Sequence, residues 1–180
     1  MTYQQNVSNG IIPTLVSERI TLRTHSLSDF EECCSIWENQ LVAKYTGGKT
    51  KTPEEVWRHL LMFQGSWVTF GYGYWLIESN DNGSIIGAVG ISNLKRENVT
   101  KECGDAELGY VLHPSFWGKG YAVDSCNLVI DWFSKNFESL RVFAVISRGN
   151  ERSINVAVKT GLKYAFTIND NKDLVYQLKN

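Results

Sequence analysis

The chain has 180 residues, 43% of them hydrophobic, with 18 Lys and Arg against 19 Asp and Glu and a formal net charge of −1. That length and apolar content fit one domain whose core needs no disulfide or structural metal. Near-zero charge, with no Lys/Arg run longer than two residues, argues against nucleic acid or an anionic membrane as partner, and no apolar run approaches a membrane span.

Residues 1–12 are polar and uncharged and are expected to form a flexible tail, leaving 13–180 as a single domain. Ile20, Leu22 and Thr24 alternate with Thr21, Arg23 and His25, the period of a strand. Ser28-x-x-Glu31 reads as a capping box that opens a helix to about Asn39. Cys33 and Cys34, like Cys103 and Cys126, show no disulfide-framework spacing and no signal peptide precedes them, so free thiols in the cytoplasm are expected. Thr52-Pro53-Glu54-Glu55 is a stronger helix start, with Pro at the first helical position. The helix behind it puts Val56, Leu60, Phe63 and Trp67 on one face and leaves His59 off that stripe, in solvent. Residues 72–78 and 84–93 read as a hairpin around Asp81-Asn82-Gly83.

Residues 107–112 alternate as a further strand, which His113-Pro114 ends. A helix from Gly120 is expected to bury Ala122, Cys126, Val129, Ile130 and Phe133. Residues 141–147 are a nearly continuous apolar run, the pattern of a strand covered on both faces. Asn150 caps the next helix and Gly161 takes the position after its end. Residues 163–167 and 174–178 close the chain as a hairpin around Asn169-Asp170-Asn171. The order β-αα-βββ-α-β-α-ββ predicts an α/β layer fold of about seven strands and four helices.

The chemistry concentrates between the strand at 107–112 and the helix behind it. Trp117-Gly118-Lys119-Gly120-Tyr121-Ala122 joins them. Its glycines let successive N–H groups turn toward one point, and the helix N-terminus adds partial positive charge, so the loop is a site for a phosphate or pyrophosphate. It is no Walker A loop, because Tyr121 follows Gly120. Gly47-Gly48-Lys49-Thr50 ends like one, but Ala43 stands where its first glycine belongs, and no Rossmann glycine fingerprint follows the first strand. His25, His59 and His113 have no Cys or carboxylate at metal-ligand spacing, so no metal is expected.

Residues 117–122 resemble the acyl-CoA-binding motif Q/R-x-x-G-x-G/A of the GNAT N-acetyltransferase superfamily, with Trp117 in the place of Gln or Arg. With E-L-G-Y-x-L-H-P ahead of it, the segment is similar to the RimJ/RimL-like branch, the ribosomal-protein N-terminal acetyltransferases. Asn150-Glu151-Arg152-Ser153 through Lys159-Thr160-Gly161-Leu162 is similar to the family's N-x-x-S…K-x-G-F signature, and Ser17 to Arg23 is similar to its T-E-R-L-x-L-R first strand. The resemblance implies a single-domain GNAT-like fold, a mixed, mostly antiparallel twisted sheet in which the strands at 107–112 and 141–147 splay around CoA. It also implies that pantetheine amides pair with the backbone of Tyr110, Val111 and Leu112. The pyrophosphate would then lie on Trp117, Gly118, Lys119, Gly120, Tyr121 and Ala122, and Asn150 would bond pantetheine.

The implied reaction is direct attack of an amine on the acetyl-CoA thioester. An α-amino group with a pKa of about 8, or a lysine at about 10.4, must first be neutral, so a base helps. Glu107 is the leading candidate, with Asp105 one step further out on the same parity. A backbone N–H near Tyr110 to Leu112 would hold the oxyanion. Many relatives protonate the thiolate with a tyrosine whose place here holds Ala157, and Ser153 is the substitute implied. The residues alone read differently: Glu107 as a solvated strand-end carboxylate, Asn150 and Ser153 as helix caps. Loops 45–50 and 93–105 border the implied acceptor site. Trp67, Phe70, Tyr72, Tyr74 and Trp75 form an aromatic cluster read as core packing. The acceptor is an amine, whether a peptide N-terminus or a small molecule such as a polyamine or an aminoglycoside. A small-molecule or antibiotic amine acetyltransferase and a non-catalytic acyl-CoA sensor are the rival readings. A cleft plugged by Trp67 or Trp75 would favour the sensor, and a homodimer stays open.

Overall fold

The computed structural model describes residues 12–178; the expected tail lies almost wholly outside the described residues. The elements are β1 (Leu15–Val16), β2 (Ile20–Arg23), α1 (Phe30–Trp37), α2 (Gln40–Ala43), α3 (Pro53–Phe70), β3 (Tyr74–Ser79), β4 (Ile85–Ser92) and β5 (Ala106–Leu112), followed by α4 (Tyr121–Asn136), β6 (Val142–Ser147), α5 (Glu151–Lys159), β7 (Leu162–Ile168) and β8 (Asp173–Leu178). The strands form one sheet in the order β1-β2-β3-β4-β5-β6-β8-β7. Every neighbouring pair is antiparallel except β5 and β6. The expected seven strands become eight because β1, two residues against Thr21 and Leu22, is too short to show a period.

Both faces of the sheet are covered. On one, α1 and α3 bury Cys33, Ile36, Val56, Leu60 and Phe63 against Leu76, Ala88 and Val111. On the other, α4 buries Cys126, Val129, Ile130 and Phe133 against Ile20, Leu22, Trp75 and Val89. All eight residues of β4 are therefore buried, as a central strand between two helical layers must be. Trp67 and Trp75 lie in this core, edge-on to each other at 4.5 Å and both packed on Trp132.

The helix starts follow local chemistry. Thr52 Oγ1 accepts the Glu55 N–H at 3.3 Å while Glu55 Oε2 accepts the Thr52 N–H at 2.8 Å, the reciprocal pair expected there. At α1 the expected box at Ser28 and Glu31 is displaced. Asp29 takes that role instead, accepting the Ser26 N–H at 2.7 Å while Arg23 clamps both its oxygens at 2.9 Å. His59 is not in solvent. It lies half-buried between Trp37 and Phe63, ring centroids 5.0 and 5.7 Å away, with Nδ1 lacking a hydrogen-bond partner among the described residues and burial lowering its pKa. The helical stripe of α3 could not reveal this, because Trp37 comes from α1.

Candidate active site

β5 and β6 pair only at Ala106 with Val142 and Glu107 with Phe143. Past Glu107 they diverge, which is the splay expected of these two strands. In an antiparallel ladder alternate residues turn their N–H and C=O toward the same neighbour. His113 N–H donates to Ile86 C=O at 2.9 Å, so by that alternation Val111 faces Ala88 on β4, and Tyr110 and Leu112 face the gap. Val111 thus spends its backbone groups inside the sheet, and its side chain packs into the core under α1 and α3. The Leu112 carbonyl is taken by Trp117 Nε1 at 2.8 Å. The cleft that results has a volume of about 720 Å³, within the range of small-molecule sites.

One wall is the turn into α4. Gly118 and Gly120 have φ of +76° and +88°, values that an L side chain adopts only under strain. A Cβ at Gly118 would meet open space, so its backbone is approachable from outside. Gly120 is the N-cap, and the first intrahelical bond runs from Asp124 N–H to Gly120 C=O at 3.1 Å. The N–H groups of Tyr121, Ala122 and Val123 therefore have no helical acceptor, and all three residues line the cleft. This is the chemistry of an anion site at a helix N-terminus. Ala122 is accordingly only half-buried, rather than part of the core with Cys126. Asp124 in the same turn would repel an anion, but Arg19 holds it through Nε at 2.9 Å and Nη2 at 2.5 Å. Arg19 also donates Nη1 to Lys119 C=O at 3.0 Å and lies 4.8 Å over the Tyr121 ring.

Trp117, Gly118, Gly120, Tyr121 and Ala122 line the cleft together with Asn150 and Ser153. Lys119 does not; its ammonium lies 5.8 Å over the Phe116 ring. Asn150 Oδ1 accepts the Ser153 N–H at 3.3 Å, as a cap. Ser153 Oγ in turn receives the Tyr110 hydroxyl at 2.9 Å across the gap. Burial pushes the Tyr110 phenol up to about 12, with the Ser153 bond opposing. Ala157, in the place of the expected tyrosine, is buried below, and so is Cys126, whose thiol burial pushes up to about 12.

At the other end Glu107 forms an ion pair with Arg96 and its side chain is 13% exposed. Burial raises its pKa, against the charge and hydrogen bond of Arg96. Asp105 does not join it. Its Oδ2 accepts both the N–H and the Nε of Arg141 at 3.0 Å, and these bonds outweigh burial to hold its pKa down. Of the two loops expected to border the acceptor, Tyr45, Thr46 and Gly47 from one and Arg96 from the other line the cleft, Arg96 at the Glu107 end. Neither Trp67 nor Trp75 plugs the cleft: their indoles donate to Tyr74 C=O at 3.1 Å and Pro13 C=O at 2.7 Å inside the core. Sequence reasoning missed Arg19, Arg96, Arg152 and the Tyr110 side chain. Arg19 and Arg152 left a signal only as members of the first-strand and Asn150–Ser153 landmarks, and Arg96 only as part of the 93–105 loop.

A family model described as the acetyltransferase (GNAT) domain matches residues 19–163. The uncharacterized protein YkkB of Bacillus subtilis (strain 168) is 30% identical over 170 residues, covering 92% of this chain and 95% of its own. The acetyltransferase of Agrobacterium tumefaciens str. C58 superposes with a TM-score of 0.80 at 27% identity, covering 94% of this chain and 95% of that one. The ribosomal-protein-S5-alanine acetyltransferase of Vibrio fischeri shares the fold at 22% identity and a TM-score of 0.67, over 92% and 95% of the two chains. On the family match and on the YkkB relationship, this chain belongs to the GNAT acetyltransferases.

Proposed function

We propose that the protein moves an acetyl group from acetyl-CoA directly to a primary amine, carried by a protein N-terminus or a small molecule. GNAT acetyltransferases use acetyl-CoA, and the observation that supports it as donor here is the gap between β5 and β6. At one end lies the anion-ready first turn of α4, at the other a buried carboxylate, Glu107. Tyr110 and Leu112 turn backbone groups into that gap, where a pantetheine arm finds partners. In this reading Glu107 takes the amine proton as the C–N bond forms. A gap-facing N–H of β5 steadies the oxyanion, and the C–S bond then breaks to release the thiolate. The Tyr110 phenol, at about 12, is a weaker acid than a thiol of about 8.5, so it does not protonate the thiolate. It donates to Ser153 Oγ instead, which leaves the Ser153 proton free to hydrogen-bond the departing sulfur. The thiolate takes its proton from water.

The branch resemblance at residues 107–122 favours a peptide N-terminus as acceptor; the mixed charge of Arg96 and Glu107 suits a small amine as well. The four cysteines of the chain are all free and buried, which suits a reducing cytoplasm. Among the described residues no helix is long and apolar enough to cross a membrane. Neither core tryptophan plugs the cleft, so that observation does not favour the sensor reading, whose one supporting feature is Ala157 in the tyrosine place. Calorimetric titration with acetyl-CoA, followed by thiol release against a panel of peptides and small amines, tests the proposal. Binding with acceptor-dependent release is expected. Absence of acetyl-CoA binding would overturn it.

A further inference from the structure

Six of the seven arginines have their guanidinium groups engaged by the protein's own oxygens. Arg19 holds Asp124, Arg23 holds Asp29 and Glu78, Arg58 holds Glu54, Arg96 holds Glu107, and Arg141 holds Asp105. Arg148 donates Nε to Asn171 C=O at 2.8 Å. Arg152 is the exception among the described residues: it is exposed, and its only recorded partner is an aromatic face. Its guanidinium lies 4.8 Å over the Trp117 ring, and both residues line the cleft. A guanidinium over an indole keeps its five N–H donors at the edge of the plane, aimed away from the ring. The ring contact leaves those donors unspent, in a cleft that Gly118 and the first turn of α4 also line.

We infer that Arg152, held by Trp117, binds a phosphate of the nucleotide half of CoA. This rests on the acetyl-CoA reading above and adds a residue from α5 to a site otherwise built from the loop before α4. It also explains why an aromatic ring stands at position 117. The motif places Gln or Arg there, and this chain supplies the cation from α5, using the ring as its support. Planarity matters, since a guanidinium can meet two phosphate oxygens at once and an ammonium cannot.

The test titrates wild type, Arg152→Ala and Arg152→Lys with CoA, with 3′-dephospho-CoA and with pantetheine, by calorimetry, with a thermal melt of each variant. Arg152 is exposed near the start of its helix, so the fold is expected to survive both changes. Arg152→Ala should raise the Kd for CoA about tenfold or more and leave pantetheine binding unchanged, with Arg152→Lys in between. A loss for CoA alone assigns the 3′-phosphate; an equal loss for CoA and 3′-dephospho-CoA assigns the pyrophosphate. Either supports the inference. An unchanged Kd for CoA, or an equal loss for pantetheine, overturns it while the acetyl-CoA reading stands. Wild-type protein that binds no CoA overturns both.

Discussion

The Tyr110 hydroxyl donates to Ser153 Oγ at 2.9 Å, a bond between β5 and α5 across the widening gap. It fixes the serine hydroxyl beyond the point where the two strands part and determines which way the remaining proton points. On the proposed role of Ser153 at the departing sulfur, Ser153→Ala should lower kcat about tenfold with little change in KM for acetyl-CoA, since that bond would strengthen as charge develops. Tyr110→Phe should lower kcat by less. The double variant should match Ser153→Ala alone, because Tyr110 acts through the serine. Additive losses in steady-state kinetics would show that the two act separately.

Glu107 and Arg96 make a prediction about pH. Burial raises the Glu107 pKa and Arg96 lowers it, with burial the larger effect. If Glu107 is the base, the acid limb of kcat/KM lies above the ordinary carboxylate range. Arg96→Gln removes the opposing charge and should move that limb to still higher pH. Glu107→Gln should reduce kcat/KM by about 100-fold or more and abolish the limb. A limb that stays in place in Arg96→Gln would remove Glu107 from the role.

What the sequence made legible was local. The helix start at Thr52, the hairpin turns and the left-handed glycines at 118 and 120 depend on neighbours a few residues away, and so does the alternation that marks residues 107–112 as a strand; the place of the Tyr110 backbone at the gap came with the family resemblance. The contacts that finish the site are long-range. Tyr110 and Ser153 are 43 residues apart, and Arg19 and Asp124 are 105 apart. No periodicity encodes which side chains meet over such separations. His59 shows the same limit from the other direction: its helix predicted exposure, and a ring from another helix covered it. Asp105 shares strand parity with Glu107, yet Arg141 draws it out of the site.

Arg19 fastens the turn into α4, the proposed phosphate site, to the first long strand and neutralises the one acid in the first turn of that helix. Arg19→Met should weaken acetyl-CoA binding about fivefold, by exposing the anion to Asp124 and by loosening Lys119 and Tyr121. Adding Asp124→Asn should restore the electrostatic part of that loss, and the restored part should shrink as salt is raised. Calorimetry at two ionic strengths separates the contributions. A double variant no better than Arg19→Met would mean that geometry alone matters.

Gly109 lies under the Tyr74 hydroxyl so closely that a Cβ there would overlap the oxygen. Tyr74 cannot easily yield, since its ring stacks on Phe63 at 4.4 Å. Gly109→Ala should therefore cost about 2 kcal/mol by overpacking. Tyr74→Phe removes the clashing oxygen, so the double variant should recover part of that loss. Urea titrations of the four proteins measure this. Equal stability of Gly109→Ala and wild type would show that the strand shifts at no cost.

His25 should make the fold acid-sensitive well above the carboxylate range. Burial against Phe63 pushes its pKa down to about 4, from 6.5 when unfolded, with Arg23 assisting and Asp29 opposing. The folded state thus prefers the neutral ring. Stability from this preference is complete above pH 6.5 and is lost as the pH falls toward 4, because the unfolded chain binds the proton first. A fall of that size corresponds to about 3 kcal/mol. Asp29 acts lower down: burial raises its pKa, but its bonds from Arg23 and Ser26 prevail and hold it at about 2, so its contribution fades only below pH 4. His25→Leu should be less stable or equal at pH 7.5 yet lose much less stability than wild type between pH 6.5 and 4.5. Urea unfolding across that window reads the difference directly. Parallel curves for the two proteins would mean that the ring is solvated enough to accept its proton in the folded state.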